Sequence, residues 1–221
     1  MRRAISALLM CIPLSALADG QASLIDGKGD PSSAVEVRWA GDQMRVDFPR
    51  HASKGYLLMQ GNNGYLVTNI SGQPLALDIR DAQALAGQLG ADKAASLSSY
   101  QARSVSALSP TGASEVVAGI QGQVYRLDWV TQEGENRQDQ LVLSDAPEAQ
   151  ELLTMFDRYQ TNLTGHADPV AAMLRERGLG ILRFGDKFQV ASLSSTTPDT
   201  SLFAMPAKSG GLNDLLKSMI Q

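Results

Sequence analysis

Apolar and polar side chains alternate with a period of two between residues 34 and 79, and short turn signals interrupt the alternation. Residues 35 to 40 show this pattern, and residues 43 to 48 repeat it after a Gly41-Asp42 turn signal. Such alternation is typical of strands that bury one face, and a Gly-containing pair between two of them indicates a hairpin. The spacing therefore predicts a meander of about five short antiparallel strands.

Strand periodicity resumes around Glu115 and, after a turn at residues 133 to 136, continues to Leu143. A last hairpin is predicted from residues 181 to 184 and residues 188 to 193, joined across Gly185-Asp186. The segment from 91 to 112, before this second group of strands, is polar, but this shift in composition does not indicate a domain boundary.

Before the C-terminal tail, helical spacing occurs in three segments. The strongest is capped by Asp145 and carries an apolar stripe from Leu152 to Leu163. A second helix begins at Asp168-Pro169, and a weaker, Ala-rich helix starts at a cap on Asp81 and runs to Gly90. Because the strands are grouped and do not alternate strictly with helices, we expect an α+β fold with one large antiparallel sheet.

The first 18 residues have the form of a secretory signal peptide. Two arginines precede an apolar run from Ala4 to Leu14, and a small-x-small site ends at Ala18. Cleavage there removes Cys11, the only cysteine, and predicts a soluble periplasmic protein. Lipid attachment at Cys11 is disfavoured because bulky Met10 precedes it.

We expect one α+β domain over residues 19 to 206, followed by a tail over residues 207 to 221. The tail contains a short amphipathic helix from Leu212 to Ile220. No later stretch approaches the roughly twenty apolar residues of a membrane span, so none is predicted.

The charge balance is acidic. The formal charge of −4 becomes −6 when Arg2 and Arg3 leave with the signal, because 17 basic residues then face 23 acidic ones. Nucleic-acid binding needs clustered Lys and Arg, and no basic run follows the signal. We therefore expect no nucleic-acid partner.

Residues for catalysis or metal binding are sparse. His51 and His166 are far apart in polar contexts, and a cysteine-free chain would need both of them plus carboxylates for a zinc site. No Gly-x-Ser-x-Gly elbow occurs, and Asp26 to Asp30 lacks the remaining ligands of a calcium loop. No catalytic residue, metal or cofactor is predicted.

Three segments carry a resemblance to a known family: Glu115 to Tyr125, Asp42 to Asp47, and Ser201 to Pro206. In order and spacing, these segments resemble those of an uncharacterised family of exported bacterial proteins. That family is distantly similar to the periplasmic lipoprotein carriers. The resemblance implies a curved antiparallel half-barrel closed by helices. Many relatives have a cysteine where Gly122 stands, so no thiol role carries over.

A curved sheet of this kind offers an apolar concave surface, and methionine side chains adapt to flexible chains. The alternative is that the same side chains form a filled core under the helices, because an alternating strand has the same pattern in both cases. The candidate ligand-binding residues are Met44, Val46, Phe48, Tyr56, Met59, Tyr65, Tyr125, Leu127 and Trp129.

The leading hypothesis is a non-enzymatic binding or carrier-like protein with an apolar groove for a lipid or another hydrophobic ligand. The alternative is a structural or interaction protein of the envelope, which contacts a protein partner through a sheet edge or the C-terminal helix. An enzyme is the third hypothesis, and it would depend on His51, His166 or the serines near residue 194.

Overall fold

The computed structural model describes residues 19–70, 73–81 and 101–206. The predicted signal peptide, all but the first residue of the predicted helix over 81 to 90, and the predicted C-terminal tail lie outside these residues. Residues 79–81 are already helical, so Asp81 lies within a helix and does not cap one as predicted.

One open antiparallel sheet of eleven strands dominates the described part of the chain, which confirms the predicted α+β fold class. Its strands are β1 (Gly20–Ile25), β2 (Val35–Ala40), β3 (Gln43–Asp47), β4 (Tyr56–Gln60), β5 (Asn63–Ile70), β6 (Gln73–Asp78), β7 (Ala102–Val117), β8 (Ile120–Thr131), β9 (Asn136–Ser144), β10 (Gly180–Phe184) and β11 (Phe188–Ser194).

The strand order is β6-β5-β4-β3-β2-β1-β11-β10-β9-β8-β7. Within the group β1 to β6, strands that are consecutive in the chain pair with each other, and the same is true within the group β7 to β11. The pairing of β11 with β1 joins these two groups into one sheet. The predicted five-strand meander is present as β2 to β6. The last predicted hairpin is present as β10 and β11.

Two helices lie between β9 and β10 in the chain: α1 (Pro147–Thr164) and α2 (Pro169–Glu176). The N-cap of α1 is Ala146, which makes no side-chain cap, so the predicted cap at Asp145 is wrong. Proline favours the first helical position, and Pro147 therefore places the cap one residue after Asp145. Asp168 does cap α2, accepting a hydrogen bond from the Val170 N–H.

Buried side chains of β1 to β4 and of α1 form one core cluster. We call the sheet face that carries them the inner face; Leu24, Val46 and Leu57 belong to it. A second core cluster joins β8, β9 and β10 to α2, with Leu127, Leu141 and Leu174 among its most buried members. The two helices thus pack against neighbouring parts of one sheet.

A third cluster covers the opposite, outer face of β4 to β6. Phe203, from a short 3-10 helix over Thr200–Phe203, packs there against Leu58 and Val67. The backbone of this segment is held in place because Arg45 donates to the Leu202 carbonyl at 3.1 Å and Gln60 donates to the Phe203 carbonyl at 2.9 Å. The residues from Pro198 to Pro206 have no regular pattern in sequence, and they cover the outer face of β4 to β6.

Candidate ligand-binding cavity

A cavity of about 350 Å³ lies between the inner face of the sheet and the two helices. This volume lies at the lower end of the range of small-molecule sites, which is about 300 to 1,000 Å³. Its apolar wall is formed by Leu24, Ile25, Val35, Val46, Phe48, Leu57, Leu152, Leu153, Phe156, Val170, Ala171, Ile181, Phe184 and Phe188.

The strand side of this wall follows from register. Leu24 is opposite Val35 across β1 and β2, and Val46 is opposite Leu57 across β3 and β4. Residues that face each other across antiparallel strands point to the same side of the sheet. Four neighbouring strands thus present one continuous apolar surface to α1.

Polar side chains occupy part of the same cavity wall, among them Asp157 and Asp168. The Asp157 carboxylate lies 3.0 Å from the Arg175 guanidinium of α2, and one of its oxygens accepts from the Asp168 backbone N–H at 3.4 Å. The Asp168 carboxylate accepts from the N–H groups of Val170 and Ala102. These contacts connect α1, the start of α2 and the start of β7.

Burial raises the pKa of Asp168 to about 6, and the nearby Asp157 carboxylate adds to the increase. The hydrogen bonds from the Val170 and Ala102 N–H groups and the Lys187 charge act in the opposite direction. Removal from water dominates, because a carboxylate loses more solvation than these contacts restore. Asp168 is therefore a titratable group on the cavity wall.

Lys187 brings a positive charge to the wall, and it contacts side chains of the sheet. Its Nζ lies 2.9 Å from the Asp139 carboxylate and 3.9 Å from the centre of the Phe184 ring. Asp139 also accepts from the Trp129 indole N–H at 2.7 Å. Burial lowers the pKa of Lys187, while the Asp139 carboxylate partly restores it.

Tyr159, on α1, is 4% exposed and lines the cavity. Burial raises the pKa of its hydroxyl. Within the described ranges, that hydroxyl has no hydrogen-bond partner. The hydroxyl therefore has hydrogen-bonding capacity that the described residues do not use, on a side chain that lines the cavity.

The structure divides the nine candidate residues into three groups. Val46 and Phe48 line the cavity, and Met44 and Met59 are buried on the same face in the first core cluster. Three others pack in the second core cluster and do not line the cavity: Tyr125, Leu127 and Trp129.

Tyr56 and Tyr65 lie on the opposite side of the sheet from the predicted groove. Both pack on the outer face with Leu58 and Phe203, so they cannot line the same groove as Met59. The reason is parity: Tyr56 and Met59 are three positions apart on β4, and side chains an odd number apart point to opposite faces.

Sequence reasoning missed most of the helical wall of the cavity, including Phe156, Ala171 and Asp168. The stripe on α1 and the cap on α2 were both visible in the sequence, but as signals of packing and capping. These side chains line one cavity because of how the two helices pack over the sheet, and the sequence pattern does not show that packing.

The histidines lie on the surface. His51, in a 3-10 helix over Pro49–Lys54, and His166, after α1, are both exposed. In the part of the chain that the structure describes, no three His, Cys, Asp or Glu side chains are grouped in a way that would hold a metal ion. Among the same residues, no helix has the length and apolar character that crossing a bilayer requires.

Comparison of the chain with known protein families, with curated proteins and with solved structures found no match. The geometry and chemistry of the cavity are therefore the observations that bear on function.

Proposed function

We propose that this protein is an exported, non-enzymatic binding or carrier protein for a hydrophobic ligand that contains an aliphatic chain. One observation carries the proposal: the inner face of the sheet and the two helices line a largely apolar cavity of about 350 Å³. A filled core under the helices was the alternative, and a cavity of this volume favours binding over that alternative. The form of residues 1–18 supports export.

The burial of an aliphatic chain supplies enough free energy for such a role. Each buried methylene contributes about 0.8 kcal/mol, so a chain of about ten methylenes contributes about 8 kcal/mol before the entropic costs of binding. The side chains that would contact it are Leu24, Val46, Leu57 and Phe156, which come from both walls of the cavity.

The edge strands give no support to the alternative of an interaction protein. β6 and β7 are the two edges of the sheet, and they contain Pro74 and Pro110 respectively. β7 also has three irregularities in its register with β8. Proline and bulges are features that hinder the addition of another strand. The predicted C-terminal helix lies outside the described residues.

The proposal is tested by titrating delipidated protein with the neutral fluorophore N-phenyl-1-naphthylamine and then displacing it with dodecanol. We expect saturable binding at one site and full displacement. Ala171→Leu adds volume to the helical wall, and Leu57→Phe adds volume to the strand wall. Each should weaken binding about tenfold, because the added atoms occupy the space of the ligand.

The matched control is Ala172→Leu, which makes the same change on α2 at a position that does not line the cavity. It should bind like the wild type. The proposal is wrong if the wild type shows no saturable binding, or if folded Ala171→Leu and Leu57→Phe proteins both bind the fluorophore as tightly as the wild type.

A further inference from the structure

The polar part of the cavity wall has an excess of negative charge. Among the described residues that line it are three carboxylates, those of Asp26, Asp157 and Asp168, and one cationic side chain, that of Lys187. Two of these charges are already compensated: Asp157 pairs with Arg175 at 3.0 Å, and Lys187 pairs with Asp139 at 2.9 Å. In the described part of the chain, Asp26 and Asp168 form no ion pair.

Asp168 has one carboxylate oxygen to spare. Its Oδ1 accepts both backbone hydrogen bonds, from Val170 at 3.1 Å and from Ala102 at 3.4 Å. Its Oδ2 receives none from residues 19–70, 73–81 or 101–206. A carboxylate that is held in place by its own cap, with one oxygen open on a cavity wall, is suited to accept from a donor on a ligand.

Tyr159 is a second, independent polar group on this wall. It is 4% exposed, and its hydroxyl has no hydrogen-bond partner in the described ranges. The cavity thus combines a large apolar wall with two polar groups that have unused hydrogen-bonding capacity. This combination fits an amphiphile better than a pure hydrocarbon.

We propose that the cavity selects single-chain amphiphiles whose head group is a cationic amine, with the ammonium group held by Asp168 and the chain against Val46, Leu57 and Phe156. The inference rests on the proposed function and specifies its ligand class. A carboxylate head group would meet Asp168 with the same sign of charge. To use Lys187 instead, it would have to compete with Asp139, which already holds that ammonium group.

The test compares dodecylamine, dodecanol and dodecanoate, which share a chain length and differ in head-group charge. Affinities are measured by displacement of N-phenyl-1-naphthylamine at about pH 7.5, where the amine and the carboxylate are both ionised. We expect dodecylamine to bind at least about tenfold more tightly than dodecanoate, with dodecanol between them.

Asp168→Asn is the informative variant, because asparagine is also a good N-cap. Its amide oxygen can keep the capping hydrogen bonds, while the charge is lost and an NH2 donor replaces the free carboxylate oxygen. The variant should bring the amine-to-alcohol affinity ratio to within about twofold of unity. Asp199→Asn is the matched control: Asp199 caps the 3-10 helix on the outer face through the Ser201 N–H and does not line the cavity. It should keep the wild-type ratio.

The outcomes separate the two proposals. If none of the three compounds displaces the fluorophore, the proposed function fails and this inference fails with it. If all three bind equally, or dodecanoate binds most tightly, the cavity binds chains but the head-group inference is wrong. An unchanged amine-to-alcohol ratio in folded Asp168→Asn protein would also overturn the assignment of the ammonium group to Asp168.

Discussion

The carboxylate of Asp157, on α1, lies 3.0 Å from the guanidinium of Arg175, on α2. The side chain of Asp157 is 4% exposed, whereas that of Arg175 is 44% exposed. The pair therefore joins a buried charge to a partly solvated one, and it fixes the two helices that form one wall of the cavity relative to each other.

The Arg175→Gln variant should be less stable than the wild type by about 2 kcal/mol. Removing one partner of a fully buried pair costs about 3 to 5 kcal/mol, and the partial exposure of Arg175 reduces that cost. Urea unfolding measures the difference. Arg177→Gln is the control, because Arg177 is exposed and forms no ion pair with any described residue. Equal losses in the two variants would contradict the assignment.

The free energy of unfolding should decrease as pH rises from about 4 to 6, because Asp168 loses its proton in that range. Its pKa is about 6 in the folded protein and about 3.9 in an unfolded chain. The folded state then binds more protons in that range, so the free energy of unfolding falls as pH rises. The contribution is about 2 kcal/mol after allowance for partial exposure of the side chain.

Urea unfolding of the wild type and Asp168→Asn across this pH range isolates the effect. The variant retains a capping side chain but cannot ionise, so its stability should vary less with pH. Asp157 and Lys187 are the charged groups that face Asp168, and both are unchanged in the variant. Parallel stability curves for the two proteins would show that Asp168 does not titrate in this range.

The turn between β7 and β8 contains a strained residue. Ala118 has a φ of 52° and is followed by Gly119 with a φ of 79°. A positive φ costs a residue with a Cβ about 1 to 2 kcal/mol, and asparagine adopts this left-handed conformation more readily than alanine. Ala118→Asn should therefore raise the free energy of unfolding by about 1 kcal/mol. Ala113→Asn, in the same hairpin but without a positive φ, should give no gain. A gain of equal size at both positions would point to a cause other than the turn.

Gly180 permits the close approach of α1 to β10. A Cβ at this position would overlap the Ala149 carbonyl carbon, which is backbone and cannot rotate away. Gly180→Ala should therefore destabilise the protein by about 1 to 3 kcal/mol, in the range of overpacked cores. Thermal unfolding measures the loss. An unchanged midpoint would mean that α1 does not pack here as described.

Much of the sheet was predictable because its strands bury one face. β2 and β3 alternate clearly, and the tight turns after β2 and β4 contain Gly41 and Gly61-Asn62. β1 escaped prediction because its inward positions are occupied by small residues, Gly20 and Ala22, as well as Leu24. The first part of β7 escaped because it is an edge strand whose side chains are largely exposed and polar.

The cavity was less predictable than the sheet. The alternation of Met44 and Val46 correctly indicates one buried face, but it does not distinguish the side chain that lines a cavity, Val46, from the one that only packs in the core. Asp168 was recognised as a helix cap from its position before Pro169. Its place on the cavity wall depends on how α2 packs over β10, which no local pattern encodes.

An aliphatic ligand chain should enter the space between the inner face of the sheet and the two helices. Methyl-labelled protein and unlabelled dodecylamine allow intermolecular nuclear Overhauser effects to be measured directly. We expect contacts from the chain methylenes to the methyl groups of Leu24, Val46 and Leu57, and none to Leu58 or Val67 on the outer face. Contacts confined to Leu58 and Val67, or no intermolecular contacts at saturating ligand, would contradict it.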